Sequence, residues 1–503
     1  MRQIILVSTY FFTLIHCFSQ SVRFADHQCV DNQEMLTQRI IENKQLIRDG
    51  MAFSRETIYV PVTFHLVADD EGLGRADVED VLKQLCDLNS EFENTGFTFY
   101  IDDGFNYIDN SLVFNSPSLG AGVAEMIRQK RGVGASSLNI FVTGGTRDIG
   151  NGRILGFYAI ENDWVVINKD EMGNGQNTLA HEIGHFFSLA HPHTGWEFNP
   201  WTEARHGNPV LLDRINGIQI ELVDGSNCET AGDQLCDTPP DYNFGLPWDS
   251  RCPTFNLNVM DRNGDTIVPQ QNNHMSYFSG CVPYTFTNQQ TNVMMAEYGG
   301  IRRENIRTDY IPNQTSVANT LELISPENNA TAQFHNGVEL SWTPVENATQ
   351  YFVELKSGLD KIIRFTENTE IYITELLPDK VYTWTVIPFN ETSTCAEQKN
   401  RILRTSDATT NTIDPLFAES IALYPNPISE GESIKFQFQS SADLNGVLKL
   451  FSGNGQVLHT QLLSVQIGTN TIAIDLDNIQ SGMYLLSYST AEGNINRKFI
   501  INN

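Results

Sequence analysis

The chain has 503 residues, of which 40% are hydrophobic and 18% charged, and a formal net charge of −29. That length exceeds what one hydrophobic core serves, and about three domains are expected. So acidic a surface argues against nucleic acid or anionic membrane as a partner, since both need basic protein surface; otherwise it mainly promotes solubility.

The N-terminus reads MRQIILVSTYFFTLIHCFSQ. One arginine precedes the apolar run Ile4–Ile15, and small residues follow near Ser19 and Ser21. This is the three-part layout of a secretory signal, expected over 1–20. The run is too short to span a bilayer comfortably, and His16 before Cys17 fits a lipoprotein site poorly. No other stretch is long and apolar enough for a transmembrane segment. Residues 21–55 are polar and helix-prone and read as a propeptide, with Arg55 as its cutting point.

Thr57–Val67 (TIYVPVTFHLV) is rich in β-branched residues and predicts a buried strand. Asp77–Glu93 has helical spacing through Val78, Val81, Leu82, Leu85, Leu88 and Phe92. Phe97–Ile101 and Leu138–Thr143 predict further strands, and Gly156–Ile160 with Trp164–Asn168 a hairpin. His65, alone within the first strand, reads as structural. A helix starts near Asn177. Asp261–Asp265 (DRNGD) loosely follows a calcium-loop pattern but reads as a plain turn. From about Ile311 the pattern changes to short strands and turns. Ala318–Asp407 holds Trp342, Tyr351 and the alternating Tyr382–Val386. A linker rich in Thr, Asn and Asp follows from Ser406 to about Ser420, and strands resume over Ile421–Asn503.

The stretch His181–His191, HEIGHFFSLAH, carries the chemistry. His181 and His185 sit one helical turn apart on one face, the spacing at which two imidazoles share a zinc ion. Glu182 projects about 100° round the helix from His181, placed to reach a metal-bound water and not to act as a third ligand. His191 can join only if the chain leaves the helix after His185 and doubles back, and Pro192 disfavours helix there. The pattern resembles the metzincin metallopeptidases, whose zinc motif is H-E-x-x-H-x-x-G-x-x-H. Ser188 stands in the place of the family glycine, and serine tolerates positive φ poorly. His191 is the third ligand that the resemblance implies; His193 is the alternative.

Further pieces extend the resemblance. NNHMSYFSGC (Asn272–Cys281) is similar to the metzincin Met-turn, which implies Met275 as an apolar floor beneath the metal and Tyr277 as a catalytic group beside it. NCETAGDQLCDTPPDY (Asn227–Tyr242) and FTNQQTNVMM (Phe286–Met295) resemble the pappalysin branch. That branch implies structural calcium near the cysteine-bearing loop, with Asp233 and Asp237 as the first residues to test. The implied catalyst is zinc with Glu182 as general base. In some metzincins a propeptide cysteine fills the open coordination position; Cys29 is placed for that, or for a disulfide with Cys86 or Cys395. Four cysteines permit three pairings; Cys228–Cys236 with Cys252–Cys281 is the favoured set.

Residues 318–407 resemble a fibronectin type III or immunoglobulin-like sandwich. Residues 420–503, with LYPNP at Leu423–Pro427, GMYLL at Gly482–Leu486 and a closing RKFIINN, resemble the C-terminal sorting domain of the type IX secretion system of Bacteroidetes. The expected fold is therefore α+β: a metzincin-like catalytic domain over 56–312, with a twisted mixed sheet, two long helices above the cleft and an irregular lower half, then two all-β sandwich domains. The expected function is secreted zinc endopeptidase acting on proteins or peptides, released or attached to the outer cell surface, with the type IX machinery as partner. Substrate would lie antiparallel to the edge strand Gly156–Ile160. The alternatives are a cell-surface adhesin with an inactive metzincin domain and a non-proteolytic zinc hydrolase.

Overall fold

The computed structural model describes residues 29–51, 56–144, 155–173, 175, 177–245, 252, 255–358, 360–408, 422–429, 432–440, 444–465, 468–476, 479–490 and 493–502. The expected signal and most of the linker after Ser406 lie outside them. Among the described residues no helix is long and apolar enough to cross a membrane. The chain divides into two compact units, with the boundary between Pro312 and Asn313.

In the first unit a helix, α1 (Cys29–Arg48), precedes the strand β1 (Ile58–Ala68), α2 (Val78–Glu91) and β2 (Phe97–Asp109). Two helices follow, α3 (Ser111–Asn115) and α4 (Pro117–Arg131), then β3 (Leu138–Thr143), β4 (Gly156–Ala159) and β5 (Trp164–Asn168). These strands form one sheet in the order β2-β1-β3-β5-β4. All neighbours run parallel except β4, the edge strand, which is antiparallel to β5. The inner strands read as continuous apolar runs because helices cover both faces. On one face α3 and α4 pack through Val113, Ala121 and Ala124 against Phe141, Phe157 and Trp164. On the other lie α2, through Val81, Leu85 and Leu88, and α5 (Thr178–Phe186).

The sequence predicted these strands closely, though β2 continues eight residues beyond the expected Ile101, to Asp109. It missed α3 and α4. The expected pair of long helices above the cleft is corrected. α2 has 14 residues but α5 has only 9, because the chain turns sharply at Ser188.

Among the described residues below α5 the chain is largely irregular, with one short helix, α6 (Glu203–His206), before the last, α7 (Asn288–Gly299). This lower half has its own core around Trp196, Trp201, Tyr242, Phe244 and Phe278. The disulfides Cys228–Cys236 and Cys252–Cys281 staple it, the favoured pairing. Helix α1 packs on α7. Leu36 and Ile40 are buried, and Asn43 donates to Glu297 at 2.9 Å while Arg302 bridges Glu297 and Glu42.

The second unit holds two β-sandwiches. In the first, Glu370–Ile373, Val338–Trp342 and Leu323–Ser325 face a sheet of Asp360–Thr366, Gln350–Ser357, Val381–Phe389, Lys399–Thr405 and Ala330–Ala332. Trp342 and Trp384 fill the space between the sheets. The second sandwich, over 422–502, has three-stranded and five-stranded sheets around Phe436, Phe438, Leu450 and Tyr488. The two meet where Tyr372 packs on Phe451 and Lys449 pairs with Glu339 and Glu370.

Candidate metal centre

Helix α5 is buried on every side. It ends in a Schellman turn. The Leu189 N–H reaches the Gly184 carbonyl at 2.9 Å and the Ser188 N–H the His185 carbonyl at 2.8 Å. Ser188 itself takes φ 70°, the left-handed conformation usual for glycine at that place. The chain therefore doubles back as the motif requires, with serine accepting the strain.

The turn brings three imidazoles together. The Nε2 atoms of His181 and His185 stand 3.2 Å apart, those of His181 and His191 3.2 Å, and those of His185 and His191 3.0 Å. His181 Nδ1 donates to the His274 carbonyl at 2.8 Å and His185 Nδ1 to the Leu189 carbonyl at 2.7 Å. Carbonyls only accept, so both rings carry their proton on Nδ1 and turn a bare Nε2 inward. Burial pushes His185 and His191 down to about 3 and His181 well below the usual histidine range, with the neighbouring imidazoles adding to the effect for His181 and His185. Three neutral nitrogen donors converging at this spacing suit a borderline first-row divalent cation.

Other expected residues surround the triangle. Glu182 is buried beside the edge strand: a β-carbon on Gly156 would stand 3.1 Å from its Cγ. Met275 is fully buried against Gly184. The turn that carries Met275 is tied down on both sides. Asn273 Oδ1 accepts the Met275 N–H at 2.9 Å and the Gln290 amide at 3.1 Å, and Gln290 belongs to the capping box that starts α7. The His274 carbonyl receives Asn177 Nδ2 at 3.0 Å as well as His181. The ring of Tyr277 lies 4.8 Å from that of His191 and 4.3 Å from that of His193.

His193, the alternative third ligand, stays out of the triangle. Its ring stacks on His191 at 4.6 Å, and neither ring nitrogen has a hydrogen-bond partner. Asp241 Oδ2 lies 4.0 Å from its Nδ1. His65 is held by Asn139 at 2.8 Å and Asn106 at 2.7 Å, a structural role as expected. Asp261 accepts the N–H groups of Val223, Asn263 and Asp265, so DRNGD is a turn.

Of the two aspartates singled out for calcium, Asp237 is engaged at the start of α7, by Thr287 Oγ1 and the Gln289 N–H, each at 2.8 Å. Asp233 is buried and accepts from Leu235 and Thr238. Beside it stands Glu221 as well as Asp237, and sequence reasoning missed Glu221. Desolvation pushes the Asp233 and Glu221 carboxyls up, and Asp233 raises Glu221 further. Glu197 was missed too; its Oε1 lies 3.5 Å from His191 Nδ1. The spacing W-E six residues after a ligand carries no recognised signal. Cys29 heads α1, but its side chain lies outside the described residues; Cys86 and Cys395 are both disulfide-bonded.

Over 264 residues the chain is 26% identical to an extracellular metalloprotease of Arthroderma gypseum, covering 47% of this chain and 74% of that protein. Latent PorU from Porphyromonas gingivalis is 16% identical with a TM-score of 0.15; the match covers 38% of this chain and only 20% of that structure. The FN1–FN3 domains of chicken CNTN1 are 12% identical with a TM-score of 0.16, over 39% of this chain and 68% of that one. Residues 422–502 match the family described as the secretion system C-terminal sorting domain. The C-terminal segment is therefore a type IX sorting domain, and the protein is secreted.

Proposed function

We propose that the first unit is a zinc-dependent endopeptidase of the pappalysin-like metzincin type. The Nε2 triangle of His181, His185 and His191, with edges of 3.0–3.2 Å, carries this reading. The similarity to an extracellular metalloprotease supports it. Zinc, when bound, supplies Lewis acidity and brings the pKa of a water ligand to about 7. Glu182 takes the proton of the attacking water and delivers it to the leaving amine. Tyr277 stabilises the negative charge that develops on the scissile carbonyl. Met275 sets the floor beneath the ligand helix, and Gly184 lets it approach. The protein or peptide substrate adds to β4 as an antiparallel strand, with Gly156 leaving room beside Glu182. Asp233 and its neighbour Glu221 would hold a structural calcium, a hard cation suited to carboxylates. Residues 21–55 are the propeptide, with Cys29 as its inhibitory thiol, and the sorting domain engages the type IX machinery.

The test pairs zinc analysis with casein hydrolysis by wild type and Glu182→Ala. Zinc in both proteins with hydrolysis only by wild type supports the reading; equal hydrolysis by both removes it.

A further inference from the structure

We infer that Glu197 is the positioning residue that holds His191 in the metal triangle, an inference that rests on reading the triangle as a zinc site. The three imidazoles are not anchored alike. Those of His181 and His185 lean on backbone carbonyls at 2.8 and 2.7 Å, which the fold itself holds in place. His191 Nδ1 instead faces a side chain, Glu197 Oε1, at 3.5 Å, and both groups are buried, with 6% and 4% of their side chains exposed.

The carboxylate is itself fixed. Its Oε2 accepts the Gly195 N–H at 2.8 Å. The loop between is closed by the Thr194 N–H on the His191 carbonyl at 3.0 Å and the Trp196 N–H on the His193 carbonyl at 2.8 Å. The run HPHTGWE thus carries both a ligand and the group behind it.

A separation of 3.5 Å is a charge contact and not yet a hydrogen bond. Three nitrogens about 2.0–2.1 Å from one tetrahedral zinc stand about 3.3 Å from one another. The shortest edge of the triangle, 3.0 Å, joins His185 and His191. Of the three outer contacts, those of His181 and His185 are already at hydrogen-bond length; the His191–Glu197 contact has room to shorten. A carboxylate behind a ligating imidazole fixes its proton on the outer nitrogen, orients the ring and makes it a stronger donor.

His191, His193 and Glu197 also form a second group of donors within 4.8 Å of one another. A second ion is disfavoured there. The rings of His191 and His193 are parallel to within 7°, so their lone pairs run side by side and do not converge. His191 would also have to give up the proton on its outer nitrogen.

The experiment is zinc competition against a chromophoric chelator, on the full chain, for wild type, Glu197→Gln and Glu197→Asp, with melting of each metal-free protein. The glutamine amide oxygen still accepts from Gly195, so the loop keeps its anchor, while the amide NH2 replaces the carboxylate oxygen that faces His191 Nδ1. Expected are a single zinc in wild type, about 10–100-fold weaker zinc in Glu197→Gln at unchanged metal-free melting, and an intermediate constant for Glu197→Asp, which restores the charge. An unchanged constant in Glu197→Gln, or Glu197→Asp weaker than Glu197→Gln, overturns the inference. So do two zinc ions in wild type with the second lost in Glu197→Gln, since Glu197 would then be a ligand. Wild type binding no zinc would sink the reading of the triangle itself, a distinguishable result.

Discussion

Gly184 and Met275 touch. The sulfur of Met275 lies so close to Gly184 that a β-carbon there would overlap it. The glycine between Glu182 and His185 therefore lets the turn that carries Met275 rise against the underside of α5. Gly184→Ala should push the two apart and disturb His185, costing about 1–3 kcal/mol of stability by overpacking and weakening zinc. Denaturant unfolding with zinc titration measures both. Adding Met275→Ala should recover part of the loss, and full additivity of the two changes would refute the contact.

Ser188 is the opposite case, a residue working against its backbone. It holds φ 70°, and its hydroxyl is buried with no hydrogen-bond partner. Ser188→Gly should relieve both and raise stability by about 1 kcal/mol, after allowing for the greater freedom of glycine in the unfolded chain. Zinc affinity should hold. A lower denaturation midpoint would show that the turn is not strained.

Gly156 stands at the edge strand with Ile167, Thr178 and Glu182 around the space a side chain would fill. Gly156→Val should cut peptide hydrolysis sharply while leaving zinc content intact, because the histidines lie beyond the change. Zinc loss together with activity would place the damage in the fold and not beside Glu182.

The buried carboxyls of Glu221 and Asp233 are pushed up, mainly by desolvation. The sign follows from proton counting. Above the ordinary carboxylate pKa of about 4, the unfolded chain releases these protons while the folded chain keeps them, so stability falls as pH rises through that range. Calcium between the two carboxylates would replace the protons and remove the loss. Calcium added at fixed saturating zinc should therefore raise the melting temperature more at pH 8 than at pH 5, and Glu221→Gln should flatten that difference. Equal shifts at both pH values would count against calcium at this pair.

Much of the site was legible because its first part is local. His181, Glu182 and His185 lie within one helical turn, so helix geometry alone predicts their faces. The strands β1, β3 and β5 were legible for a related reason: burial on both faces leaves a continuous apolar run. Helices α3 and α4 were not, since they pack with small residues such as Ala121 and Ala124 and show no broad apolar stripe.

By itself the sequence determined the spacing of two histidines and a glutamate, the apolar strands, and the change to short alternating strands after about Ile311. Only the tertiary structure decided that His191 and not His193 completes the triangle, that Glu221 accompanies Asp233, and that Glu197 stands behind His191. The physical reason is range. Periodicity follows from backbone dihedrals over a few residues, whereas these pairings depend on how a turn at Ser188, the His274–Met275 turn some ninety residues downstream and an irregular, disulfide-stapled loop close on one another.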